Sequence, residues 1–321
     1  MGAVVVIALL VGGAFVLLRG DDQGGGGPGA SPSASPTTSY FTGERGENGP
    51  VIGVKIDNVR AARPQTGLDS ADIVYVEPVE GGLTRLLAIF SGTPPETVGP
   101  VRSARESDLE LLRQFGRPAL AYSGASSAVL PLIREAPVVD LSPANAGAAY
   151  RRTGDRSAPH NLLADYGALQ ARAGDADPPR DIGFRFGPPP QGGDTAERSR
   201  TVGYPAASVE FSWSSSAKGW QVAFDGDPVT TTGARRPAPA TVVVQRVEVR
   251  RSRLSDKLGN ASPYVDTVGS GEAVVLRDGR AYEARWSRPS ADSGTEFTQP
   301  NGARLPFATG KVWIAFTDRP L

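Results

Sequence analysis

The 321-residue sequence has no cysteine, one histidine and one methionine. Without cysteine there can be no disulfide, thiolate nucleophile, iron–sulfur cluster or zinc finger, and no thiol for a lipoprotein acyl chain. A single imidazole excludes any site needing two histidines from one chain. An excess of either charge is also missing: 34 Lys and Arg balance 34 Asp and Glu, and the isoelectric point is near 6.7. Such a chain has no field with which to gather a polyanion, so nucleic acid is not an expected partner. A cation site would have to be built mostly from carboxylates, and no EF-hand-type loop is present, so neither a metal nor a cofactor is expected.

The sequence is rich in glycine (39) and proline (28) and begins with an apolar run. Residues 2–18 (GAVVVIALLVGGAFVLL) are uncharged. As a helix they cover roughly 25 Å, close to a hydrocarbon core of about 30 Å. The run exceeds the roughly 7 to 15 apolar residues of a signal peptide, and no basic residue precedes it. Residues 1–19 are therefore expected to be an uncleaved, single-pass membrane anchor with the body outside the cytoplasm. Residues 20–47 open as GDDQGGGGPGASPSASPTTS and read as a disordered Gly/Ser/Pro linker.

In residues 51–57 (VIGVKID), Ile52, Val54 and Ile56 alternate with Lys55 and Asp57. This is the period of a half-buried strand whose polar pair either lines a site or faces water. Residues 72–78 and 83–91 read as central strands of a hairpin turning through Val79-Glu80-Gly81-Gly82. Glu77, Glu80 and Arg85 then sit at the ends of buried strands, where charges are paired or functional. Ser103 and Glu106 have the spacing of a capping box before Leu109, Leu111, Leu112 and Phe115, with Gly116 as the stop. Arg102 and Arg105 at that helix start either bind an anion or pair internally with Glu77, Glu80 or Asp108. Further expected elements are a strand at 118–123, a helix at 126–135, a strand at 138–141 and a helix at 162–171. Residues 124–128 (GASSA) partly resemble a nucleophile elbow followed by Asp140 and His160, although Ser126 reads more simply as a helix start. His160, the sole imidazole, is a site candidate beside a helix start.

Helical periodicity ends after Pro178-Pro179 and the Pro/Gly-rich stretch at 187–194. Strand patterns follow at 209–213, 220–225, 241–250, 272–277, 281–286 and 311–316. Trp213, Trp220, Trp286 and Trp313 suit the core of a small β domain better than a glycan platform. The expected fold class is α+β. An N-terminal α/β domain with a mixed sheet spans 48–185, a linker covers 186–200, and a mostly antiparallel β domain spans 201–321.

The motifs Val54-Lys55-Ile56-Asp57-Asn58, ARPQTGL at 62–68, VEGGLTR at 79–85, GPVRSAR at 99–105 and Ala158-Pro159-His160-Asn161-Leu162 resemble the YerB-like family of predicted bacterial lipoproteins. The resemblance implies a two-domain envelope protein of unknown activity, here with a spanning segment in place of the family's lipobox cysteine. The candidate ligand-binding residues are Lys55, Asp57, Asn58, Arg63, Glu77, Glu80, Gly81, Gly82, Arg85, Arg102, Ser103, Arg105, His160 and Asn161. Three functions stay open: a membrane-anchored ligand-binding or accessory protein with a polar or anion site, an envelope hydrolase using a carboxylate or His160 with an arginine clamp, and a structural interaction module. Expected partners are the membrane and an anionic small molecule, a glycan or an envelope protein. A single shared site requires Asp57, Glu80, Arg102 and His160 to converge.

Overall fold

In the computed structural model, which describes residues 37–192, 194–255 and 261–321, the β-branched runs of both halves join one mixed sheet of eleven strands. These are β1 Ile52–Asp57, β2 Ile73–Pro78, β3 Thr84–Phe90, β4 Ala119–Ala121, β5 Val139–Asp140, β6 Asp194–Ala196, β7 Thr241–Arg246, β8 Gly269–Arg277, β9 Arg280–Arg288, β10 Glu296–Thr298 and β11 Val312–Thr317. The order across the sheet is β6-β9-β8-β7-β11-β2-β3-β1-β4-β5, with β10 also paired to β9. The last strand, β11, lies between β7 and β2 and is parallel to both. The two halves of the sequence therefore complete a single sheet, within one compact unit.

Successive side chains of a strand point to opposite faces, and here each face carries its own apolar cluster. Val54, Val74, Leu86, Val242 and Trp313 pack under a four-stranded antiparallel sheet that contributes Phe211, Trp220 and Phe224. Tyr75, Leu87, Val243 and Ile314 pack on the opposite face with Leu111, Leu112 and Phe115. β1 is buried along its whole length, not half-buried as its alternation suggests. The cause is cover on both faces, which makes alternating composition a poor guide to exposure.

The body is mostly β, and its helices are short, so the α/β description of the first half holds only loosely. Among the described residues the α-helices are α1 Glu106–Leu112, α2 Leu130–Glu135, α3 Pro143–Ala146 and α4 Tyr166–Arg172. α1 is capped at Arg105 rather than Ser103: the Arg105 backbone N–H donates to Asp108 at 2.7 Å. Residues 162–165, expected to begin a helix, form a strand. α4 starts after it, with the Asp165 carboxylate accepting the Ala168 N–H at 2.8 Å. The hairpin between β2 and β3 forms as expected, with Gly81 and Gly82 at φ 71° and 72°. Residues 37–46, expected to be linker, include a short antiparallel strand pair, and Phe41 is buried against Phe115. An aromatic residue that finds a core overrides the polar composition around it. Trp220, Trp286 and Trp313 are buried and Trp213 packs against Trp220, as the core reading requires. The expected spanning segment at 2–18 lies outside the described residues. Among the described residues no helix is long and apolar enough to cross a membrane.

Trp313 is 1% exposed and contacts Phe211 and Phe224, each at 6.2 Å between ring centroids. Trp313→Ala is expected to destabilise the body by about 3–5 kcal/mol. A urea titration followed by circular dichroism checks this, and an unchanged midpoint would contradict the central position of β11.

Candidate functional site

Strand register places the charges. Asp57 on β1 and Glu77 on β2 both lie opposite Arg85 on β3, while Lys55 lies opposite Leu87. All four charged side chains belong to the face that α1 covers. Deepest is Lys55, fully buried, whose ammonium contacts Glu77 and lies 2.6 Å from Asp108 Oδ1. Burial pushes the Glu77 carboxyl well above the usual carboxylate range against the pull of Lys55, and the nearby Asp108 pushes in the same direction.

Nearer the surface, residues 99–105 run alongside the end of β1. The Arg102 N–H donates to the Lys55 carbonyl at 2.8 Å and the Asp57 N–H donates to the Pro100 carbonyl at 2.9 Å. This strap carries the Arg102 side chain over Asp57, placing Nε 2.9 Å from Oδ2 as an ion pair whose N–H points off the hydrogen-bond line. His160 Nδ1 lies 2.8 Å from the same Asp57 oxygen. Beside this group, Glu80 accepts from Arg105 at 2.7 Å and also from the Ser262 hydroxyl. Burial works to raise the Glu80 carboxyl, but those two hydrogen bonds prevail and hold it at about 2.

Arg85 stands among these pairs and belongs to neither. Among the described residues its side chain makes no hydrogen bond and no ion pair, and its Nη1 is buried without a partner. Its electrostatic neighbours are Arg105, Glu80, Arg102 and Asp57. Burial, reinforced by the two arginines, lowers it to about 10. Three guanidiniums thus face two carboxylates and one imidazole, leaving the cluster short of negative charge.

Asp57, Glu80, Arg85, Arg102, Arg105 and His160 are therefore brought together, with Lys55 and Glu77 directly behind them in a separate dry cluster. Other candidates hold the scaffold. Asn58 donates to Thr84 at 2.7 Å, Arg63 binds Asp225 at 2.7 Å and stacks on Phe224, and Asn161 donates to the Thr153 and Arg156 carbonyls. The Ser103 carbonyl accepts from Arg105 at 3.4 Å. Gly81 and Gly82 form the rim of a cleft of about 680 Å³, which is also lined by Glu80, Arg105, Tyr204, Arg251 and Arg319. Sequence reasoning missed Ser262, Tyr204, Arg251 and Arg319, which come from the second half and share no local motif with the first. The Ser126, Asp140 and His160 order dissolves: Asp140 accepts the Ser142 N–H, Ser126 starts a helical turn, and His160 pairs with Asp57.

Two family models match the chain: the N-terminal domain of a protein of unknown function (DUF3048) over residues 37–179, and the C-terminal domain of the same family over 200–314. The chain belongs to the DUF3048 family. A relative described as "Putative lipoprotein YerB", from Bacillus subtilis (strain 168), is 26% identical over 287 residues, covering 87% of this chain and 85% of the relative. The crystal structure of the Bacillus subtilis YerB protein superposes with a TM-score of 0.73 at 24% identity, covering 88% of this chain and 97% of that one. The fold of this DUF3048 chain is thus that of YerB, and the resemblance drawn from its motifs holds.

The Glu80 carboxyl generates a pH signature. Its folded value lies below the ordinary 4.5, so its stabilising effect is complete above about pH 4.5 and is lost as pH falls toward about 2. Glu80→Gln is expected to flatten the melting temperature across that window relative to wild type. Parallel wild-type and variant slopes would remove Glu80 from the charge network.

Proposed function

We propose that this DUF3048 protein is a membrane-associated, extracytoplasmic ligand-binding protein whose arginine cluster takes an anionic group. The carrying observation is Arg85, a guanidinium with a buried nitrogen that has no acceptor among the described residues, flanked by Arg102 and Arg105. Arg85 is half-buried, and a buried donor without an acceptor costs about 1–3 kcal/mol, a cost that a ligand oxyanion would relieve by accepting from it. Arg102 and Arg105 each also keep an Nε–H without a hydrogen bond. The location rests on the uncharged run at 2–18 and on the description of the YerB relative as a lipoprotein.

The hydrolase reading draws less support. Glu80, held at about 2, is a weak general base near neutrality, and Glu77 is buried behind Lys55. Among the described residues no hydroxyl hydrogen-bonds His160 Nε2, so the Asp57–His160 pair has no nucleophile to activate.

Thermal denaturation with inorganic phosphate as probe tests the anion site. A ligand that binds only the folded state stabilises it, by about 2.7 kcal/mol at a hundredfold excess over Kd. Wild type is expected to gain melting temperature with phosphate. Arg85→Met is expected to lose that gain while staying at least as stable as wild type without phosphate, because it removes an uncompensated charge. Arg235→Met, which alters a surface pair with Asp69, serves as control. A full phosphate response in Arg85→Met, or marked destabilisation of that variant, would make Arg85 structural.

A further inference from the structure

Lys55, Glu77 and Asp108 form a group that the anion site does not use. Lys55 and Asp108 are fully buried, and Glu77 is 2% exposed. The Lys55 nitrogen lies 2.6 Å from Asp108 Oδ1, while Oδ2 of the same carboxylate accepts the Arg105 backbone N–H at 2.7 Å. An amine thus faces a carboxyl group whose second oxygen is already held by a fixed donor, the arrangement that stabilises the oxyanion of acyl transfer. Glu77 touches the same ammonium and accepts from it.

We propose that Lys55 and Asp108 condense to an intramolecular amide, with Glu77 as the proton shuttle. Two of the three ammonium protons pass through Glu77 to Asp108 Oδ1. The Nζ–Cγ bond forms, the Cγ–Oδ1 bond breaks, and Oδ1 leaves as water. The third proton stays on the amide nitrogen, Oδ2 becomes the amide oxygen, and Glu77 returns to its starting state. Nothing is oxidised or reduced, and no co-reactant is consumed.

Three observations favour the reaction over a permanent ion pair. The site is dry, so the attacking amine competes with no solvent. Condensation replaces two opposite charges by a neutral amide in a place where isolated charges are costly. The upward shift of Glu77 puts its proton affinity in the range that can both receive a proton from an amine and return it to a carboxyl oxygen. The link would tie β1 to α1 across 53 positions of sequence, in a chain with no cysteine for a disulfide.

Peptide mapping by mass spectrometry of the purified full-length protein, denatured before digestion, tests the proposal. Trypsin cannot cut after an acylated lysine. The expected product is peptide 46–60, uncut at Lys55, joined to peptide 106–113 and lighter than their sum by one water. The linked wild type is also expected to run faster on a denaturing gel than Lys55→Arg, because its chain is looped. Glu77→Gln is expected to give peptides 46–55 and 106–113 separately. Quantitative recovery of those separate peptides from wild type overturns the proposal whether or not any variant folds. A link from Lys55 to Glu77 instead overturns the assignment of Asp108, and full linkage in Glu77→Gln overturns the shuttle.

Discussion

Val312–Thr317 enters the sheet between β2 and β7 and pairs in parallel with both, so the first half of the chain cannot complete its sheet until the end of the chain is in place. That insertion makes β2 an interior strand beside β3, and cover on both faces leaves β1 buried throughout. A lysine and a glutamate on such strands have no route to water. They must be paired where they stand, and α1 supplies the third member, Asp108. Arg288 reinforces the closure from the second half. It is fully buried and donates to Thr267 and to the Glu110 and Leu111 carbonyls, satisfying the end of α1 with a side chain from β9.

From this core the charges grade outward. Lys55, Glu77 and Asp108 are dry, and breaking such a group by removing one member typically costs about 3–5 kcal/mol. Asp57 is equally buried but holds Arg102 and His160, whose side chains are 22% and 24% exposed. Glu80 and Arg105 reach the cleft wall, where solvent weakens their attraction. The deep layer therefore fixes the positions of β1, β2 and α1, and the outer layer presents donors at the surface. The strap at 99–105 connects the layers: its backbone holds β1, while Arg102 and Arg105 project from it to different carboxylates.

Local signals in the sequence were sufficient for some of the local features. The β2–β3 hairpin was legible because two glycines supply the positive φ of its turn, and the strands of the second half were legible from their β-branched runs. The tryptophans were assigned to the core on size alone. The cap of α1 lies two residues beyond Ser103 because Asp108 takes the Arg105 N–H, and Asp108 is itself held by Lys55, far away in sequence. The strand at 162–165 was hidden for a similar reason: its apolar residues suit either period, and pairing with 150–152 and 97–98 decides the matter. The common sheet left no local trace, since parallel pairing of β11 with β2 joins segments from opposite ends of the body.

The sequence allowed two fates for Arg102 and Arg105, and the fold combines them. Both pair internally, with Asp57 and Glu80 respectively, so neither by itself marks a ligand site. The residue on which the proposed anion site rests is Arg85. Its cross-strand neighbours are carboxylates, the arrangement that normally satisfies a strand arginine. Yet Asp57 is already engaged by Arg102 and His160, and Glu77 by Lys55. Register alone would have paired Arg85 on either side. The added cations on the strap and on β1 take both acceptors away from it. A fold under selection for stability alone would lose little by replacing Arg85 with an apolar residue of similar length, because a half-buried guanidinium with a nitrogen that has no acceptor is a net cost. Its presence among two further arginines makes most physical sense if the missing acceptor arrives with a ligand.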